Sequence, residues 1–79
     1  MKNKQEMIEI ARRRFIDYDF PFIELKNGQF QIEGVNFWAT TQKWYDPYTG
    51  RKGRGIASFI TYVSAVIEEQ SKVFAGEDD

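Results

Sequence analysis

The segment from Phe22 to Gly34 limits the fold of this chain more than any other stretch. At its centre, Asn27-Gly28 is the preferred pair for a two-residue type I′ turn. On either side of this pair, apolar and polar residues alternate with the period of a β-strand. The facing apolar pairs would be Leu25 with Phe30 and Ile23 with Ile32. All four side chains then share one side, so the sequence predicts a β-hairpin in this register.

The chain downstream of the hairpin predicts further strands. Residues 35–39 alternate in the same way and predict a third strand. Residues 43–45 can form a short fourth strand, which Asp46-Pro47 would end. We interpret residues 46–55 as an exposed loop, because its charges and backbone need solvent.

A helix is predicted on each side of these strands. Apolar residues recur at helical spacing from Lys4 to about Phe15 and from Ile56 to about Phe74, and Gly76 is a natural stop. The predicted fold is α+β: a helix, a three- or four-stranded antiparallel β-meander, and a long C-terminal helix packed on one sheet face. The first helix would lie beside the second or at the sheet edge.

The length of the chain predicts one small domain. Its 79 residues are near the lower limit for folding without a metal or a disulfide. Seven Phe, four Tyr and two Trp can supply an aromatic core, because large rings bury much area with little loss of rotamer freedom. We expect residues 75–79 to form a frayed acidic tail.

Composition excludes several kinds of chemistry. The chain has no Cys and no His, which rules out a disulfide, a zinc site of the usual ligands and a Ser-His-Asp triad. We expect a protein that is not an enzyme and has no catalytic residues, no metal and no cofactor. No apolar run is long enough to span a membrane, and the polar N-terminus lacks the apolar region of a signal peptide. The expected location is therefore cytoplasmic.

Residues 43–55, the aromatic-basic segment, carry the clearest functional signal. Cations neutralise phosphate and aromatic rings stack on unpaired bases, so the segment predicts contact with nucleic acid, most simply single-stranded. Gly53 and Gly55 precede the second helix, where free N–H groups favour an anion. Arg12, Arg13 and Arg14 at the end of the first helix could extend the footprint. The predicted binding residues are Lys43, Trp44, Tyr45, Tyr48, Arg51, Lys52 and Arg54.

Other interpretations of these residues stay open. Trp44 and Tyr45 could be core residues, and Tyr48 could pack on Pro47. A protein partner is the alternative to nucleic acid, because Trp, Tyr and Arg also dominate protein interfaces. Such a partner could use the aromatic-basic segment or the sheet face of Trp38, which would expose an apolar patch if no helix covers it. We favour a core position for Trp38.

Residues 29–62 resemble the zinc-ribbon domain of bacterial replicative primases. Gly50, Gly53 and the helix residues Ile56 and Phe59 occupy comparable places in the order of elements. Asp46 and Thr49 stand where that family has its two cysteines, so the metal ligands are missing. The resemblance implies a metal-free, ribbon-like sheet that binds single-stranded DNA.

In size and aromatic content the chain is also similar to small accessory proteins of bacteriophages. Many of those proteins bind and inhibit a protein of the host. This similarity implies the alternative function, that of an inhibitor or adaptor of a host protein.

Overall fold

The computed structural model describes residues 3–77, with the backbone alone for residues 71–77. Its elements form a sheet between two helices in the chain order. They are α1 (Lys4–Asp17), β1 (Phe22–Glu24), a short 3₁₀ turn (Lys26–Gly28), β2 (Gln29–Ile32), β3 (Val35–Trp38), β4 (Lys43–Tyr45), β5 (Lys52–Arg54) and α2 (Ile56–Glu77). The predicted α+β class is confirmed, with five antiparallel strands in the order β1-β2-β3-β4-β5 where three or four were expected.

The first hairpin forms, but its predicted register is wrong by one residue. Asn27 and Gly28 have the positive φ values that a type I′ turn requires, 61° and 80°. Lys26 joins them in a three-residue connection, so Phe22 faces Ile32 and Glu24 faces Phe30. A shift of one residue moves every side chain of β1 to the other face. Ile23, which was expected inside, is therefore 60% exposed.

Packing around Phe15 explains the observed register. The Phe15 ring of α1 lies 5.8 Å from the ring of Phe22 and 5.2 Å from that of Phe30. The observed register thus adds an aromatic ring to the core from β1, whereas the predicted one would have added Ile23 and Leu25. The turn preference depends on the local sequence alone, so it could not predict this tertiary contact.

The predicted exposed loop contains a strand. β5 pairs with β4 so that Lys52 faces Tyr45 and Arg54 faces Lys43. The two strands form the β4–β5 hairpin, whose loop is closed by a hydrogen bond from Asp46 N to the Arg51 carbonyl, 2.8 Å long. Gly53 in the middle of β5 has low strand propensity, which is why the sequence alone did not indicate a strand here.

Both helices cover the same face of the sheet. α1 contributes Ala11 and Phe15 to the core, and α2 contributes Phe59, Ile60 and Val63. The sheet residues in this core are Phe30, Ile32, Val35, Phe37 and Trp44, together with Ala39 just beyond β3. The expected position of α2 on one sheet face is confirmed.

The ends of the helices differ from expectation in small ways. The Asn3 side chain caps α1 by accepting a hydrogen bond from Glu6 N at 2.9 Å. α2 passes the expected stop at Gly76 and reaches Glu77. Residues 78 and 79 lie outside the described residues, so fraying of the acidic tail stays a prediction. Within residues 3–77, neither helix has both the length and the apolar character that crossing a membrane requires.

Candidate nucleic-acid interface

The sheet has a second face, which we call the outer face. Side chains alternate between the two faces along a strand, and residues paired across strands share a face. Since the buried residues of β2, β3 and β4 all point toward the helices, their neighbours in sequence point away. Both helices bury their residues on the inner side, so no described element covers the outer face.

Strand pairing arranges the outer face in two rows. The first row is Gln29, Trp38, Lys43 and Arg54, on β2 to β5 in turn. The second row is Ile23, Gln31, Asn36, Tyr45 and Lys52, on β1 to β5 in turn. Two aromatic rings therefore lie among amides on one side and cations on the other.

The charge of the outer face is positive, although the whole chain has a net charge of −1. Its cations are Lys43, Lys52 and Arg54, all exposed. No residue in either row is acidic, and in the described residues none of the three cations forms an ion pair. Unpaired cations on a surface without carboxylates attract a polyanion.

An open groove runs along this face between β3, β4 and β5. Its volume is about 700 Å³, and it is lined by Trp38, Thr41, Lys43, Trp44, Tyr45, Lys52, Gly53 and Arg54. Trp38 is half-buried and lies outside the core cluster. The core position that we favoured for Trp38 from the sequence is therefore wrong: its ring forms part of an accessible groove.

Beside the rings, three amide side chains form a cluster on β2 and β3. Gln29 Nε2 and Gln31 Nε2 both donate to Asn36 Oδ1, at 3.1 and 2.9 Å. These amides were not among the residues singled out in the sequence. The alternation that placed Phe30 and Phe37 inside could have indicated them, because it places Gln29, Gln31 and Asn36 outside.

Trp44 belongs to the core and is separated from the other predicted binding residues. It is 8% exposed, stacks on Tyr62 at 4.7 Å and donates from Nε1 to Ser58 Oγ at 3.0 Å. The core interpretation that stayed open for Trp44 is the one the structure shows. Tyr45 is not a core residue, because it is 41% exposed on the outer face.

Tyr48 and Arg51 lie in the loop of the β4–β5 hairpin. Tyr48 is 83% exposed, and its ring edge lies so close to Gly34 that a Cβ there would be 2.6 Å from Tyr48 Cε2. The backbone carbonyl of Arg51 accepts a hydrogen bond from Asp46 N. The Asp46 side chain accepts from the Tyr62 hydroxyl of α2. Of the seven predicted residues, four come together on the outer face: Lys43, Tyr45, Lys52 and Arg54.

The two glycines predicted to hold an anion have structural partners. A Cβ on Gly53 would lie 2.6 Å from the Trp44 indole, so Gly53 makes room for that ring. The N–H of Gly55 donates to the Gln42 carbonyl at 2.6 Å, and Ile56 N donates to Gln42 Oε1 at 3.1 Å. Gln42 thus occupies N–H groups that an anion would need.

The three arginines of α1 do not extend the outer face, because α1 packs on the inner side. Arg12 makes a bidentate ion pair with Glu24, with both N···O distances 2.7 Å. The hydrogen bond and charge of Arg12 lower the pKa of Glu24. The hydrogen bond and charge of Glu24 in turn raise the pKa of Arg12. Arg13 and Arg14 are exposed on the helix surface.

Asp46 takes part in a partly buried hydrogen-bond network between the hairpin loop and α2. Its carboxylate, 4% exposed, accepts from the Tyr62 hydroxyl and, at 2.9 Å, from Tyr48 N. The Thr49 hydroxyl lies 3.0 Å from that of Tyr62. Nowhere in the described part of the chain do three His, Cys, Asp or Glu side chains come together as metal ligands.

Known proteins give no further guide to this site. No protein-family model, curated protein or solved structure matches the chain. The functional interpretation therefore depends on the groups that the outer face presents.

Proposed function

We propose that this protein is a non-enzymatic module that binds single-stranded nucleic acid on the outer face of its sheet. The observation that supports this most is the pair of rings, Trp38 and Tyr45, that no described element covers, beside three cations that form no ion pair with a described residue. Stacking on an aromatic ring contributes about 1–3 kcal/mol per base, and cations in a groove follow the phosphates. Aromatic rings and cations together are what an unpaired strand needs.

The proposal differs from the sequence-based prediction in the surface that binds. The aromatic-basic segment is a hairpin, and it contributes Lys43, Tyr45, Lys52 and Arg54 through its outer side. Trp38 from β3 takes the place of the buried Trp44. Tyr48 and Arg51, in the hairpin loop, are not part of the proposed surface.

The dependence of binding on salt tests this proposal. Releasing counterions from a single strand gives a slope of about −0.7 per phosphate neutralised in a plot of log affinity against log salt. Three cations therefore predict a slope of about −2, which is about a twentyfold loss of affinity between about 50 and about 200 mM salt. Fluorescence anisotropy of a labelled single-stranded oligonucleotide measures this slope.

Matched charge variants locate the binding surface. The variant Lys43→Gln/Lys52→Gln/Arg54→Gln should bind with a slope near zero. The control Lys4→Gln/Arg13→Gln/Arg14→Gln removes the same charge from exposed residues of α1 and should keep the slope of the unmodified protein. No association at low salt, or an equal loss in both variants, would count against the proposal.

A protein partner remains the second candidate, as an inhibitor or adaptor of a host protein. The observation in its favour is the exposed apolar end of the outer face, where Ile23 is 60% and Leu25 38% exposed. Apolar groups in water favour a protein surface over a phosphate backbone. The two functions separate on nuclease treatment, because a protein complex survives it and a nucleic-acid complex does not.

A further inference from the structure

The chemistry of the outer face changes in steps from β1 to β5. Amides lie on β2 and β3, rings on β3 and β4, and cations on β4 and β5. A bound strand with its phosphates near β5 would therefore place bases over Trp38 and Tyr45. The edges of those bases farthest from the sugars would point toward the amide cluster.

The spacing of the two rings favours bases that are separated from each other. Trp38 is paired with Lys43, and Tyr45 lies two residues further along β4. Diagonal neighbours of this kind are about 7–8 Å apart. This is about twice the 3.4 Å rise per base of a stacked strand. Two adjacent bases can each lie on one ring only if they are unpaired and unstacked, which excludes a duplex.

The amide cluster has hydrogen-bonding groups to spare for a base. Asn36 Oδ1 already accepts two bonds, from Gln29 and from Gln31. Within the described residues, the Asn36 amino group and the Gln31 carbonyl oxygen form no side-chain hydrogen bond. Asn36 faces Tyr45 across the strands, and Gln31 faces Asn36. The Asn36 donor is therefore placed next to the ring of Tyr45, and the Gln31 acceptor lies one strand further along the same row.

We propose that this cluster makes the outer face selective for the base that lies on Tyr45. Asn36 would donate to a ring nitrogen or carbonyl of the Watson–Crick edge, and Gln31 would accept from a neighbouring N–H. This edge is free only in an unpaired strand. The inference rests on the proposed function and goes beyond it, because stacking and phosphate contacts alone tolerate every base.

The test compares four single-stranded homopolymers by fluorescence anisotropy at one low salt concentration. A pair of hydrogen bonds to the correct base predicts affinities that differ by about tenfold or more between the best and the worst base. Asn36→Leu and Gln31→Met nearly keep the size of each side chain. Each variant removes one of the two groups that would form a hydrogen bond with the base. We expect either variant to reduce the difference to about threefold while the salt slope stays unchanged.

Gln5→Met, an exposed substitution on α1, is the control and should keep the full difference between bases. Equal affinity of the unmodified protein for all four homopolymers would overturn base selectivity and leave the proposed function standing. A difference that persists unchanged in both variants would also overturn it, because stacking alone would then account for the preference. Absence of binding to any homopolymer would overturn the proposed function itself.

Discussion

At the residue scale, the buried carboxylate of Asp46 links the β4–β5 hairpin to α2. Burial raises the pKa of Asp46, but hydrogen bonds from Tyr62, from Tyr48 N and from Thr49 outweigh it, and the pKa lies below its ordinary value. Burial and the bond to Asp46 raise the pKa of Tyr62. The charged carboxylate and the neutral phenol are therefore the stable forms of the folded protein.

This network predicts a specific pH dependence of stability. A carboxylate with a lowered pKa stabilises the fold above its unfolded pKa of about 4 and loses this effect as the pH falls through the folded pKa. Tyr62→Phe removes the donor, so we expect a loss of about 1.5–3 kcal/mol at neutral pH. The loss should shrink as the pH falls from the unfolded pKa of about 4 toward the lower pKa at which Asp46 of the folded protein is protonated. Urea denaturation at several pH values measures it.

Asp46→Asn is the matched comparison, because it removes the charge and nearly preserves the shape. Its stability should change less than that of the unmodified protein as the pH falls. At the alkaline end, the contribution of the Tyr62 hydroxyl should persist up to its ordinary pKa of about 10 and be lost as the pH rises through the raised one. A Tyr62→Phe loss of equal size at every acidic pH would show that Asp46 is not the partner that matters.

At the element scale, the β4–β5 hairpin sorts its residues between two faces. Its inner side holds Trp44 and Asp46 against α2, and its outer side carries Lys43, Tyr45 and Lys52. Gly53 makes this arrangement possible, because the Trp44 indole occupies the space that a Cβ at this position would need. The same strands thus stabilise the fold and build the proposed binding surface.

Gly53→Ala should destabilise the protein through this contact. The new Cβ would lie 2.6 Å from Trp44 Cε2 and Cζ2, so the indole must move. Overfilling a packed site typically costs about 1–3 kcal/mol. Thermal or urea unfolding followed by tryptophan fluorescence measures this cost.

Gly50→Asn is the control for that substitution. Gly50 has a positive φ of 76° and nothing within 4 Å of an added Cβ. Asn tolerates this backbone region better than other side chains do, so the change should cost much less. If Gly53→Ala were as stable as the control, the close approach of Trp44 would not be a constraint on this hairpin.

The elements show where sequence patterns are sufficient and where they fail. Alternation and helical spacing predict both helices and the strands β1 to β3, because these patterns come from burial on one side. The short strand expected at residues 43–45 is also confirmed, as β4. The predicted register of β1 is wrong, because packing of the aromatic rings around Phe15 determines the register and turn preference does not. β5 was not predicted, because Gly53 has low strand propensity. Its small size is instead required for packing against Trp44.

At the scale of the whole molecule, the domain has one closed and one open side. The helices cover the inner face, and the outer face presents rings and cations in one groove. Composition predicts a surface of this kind but not its location. The residue types correctly indicate that Lys43, Tyr45, Lys52 and Arg54 lie on one surface. Trp38 was expected in the core and lies on the outer face, whereas Trp44 was expected on the binding surface and lies in the core. Their roles depend on which sheet face the helices cover, which is a property of the folded chain.

The two tryptophans allow the most direct test of the proposed interface. Their indole N–H groups give separate signals in a two-dimensional ¹⁵N NMR spectrum, and a short single-stranded oligonucleotide can be titrated against both. We expect the Trp38 signal to shift together with backbone amides of β3, β4 and β5. The Trp44 indole N–H donates to Ser58 Oγ of α2, on the inner side of the sheet, so its signal should stay in place. A Trp38 signal that does not move, or shifts confined to α1 and the Tyr48 loop, would contradict binding at the outer face.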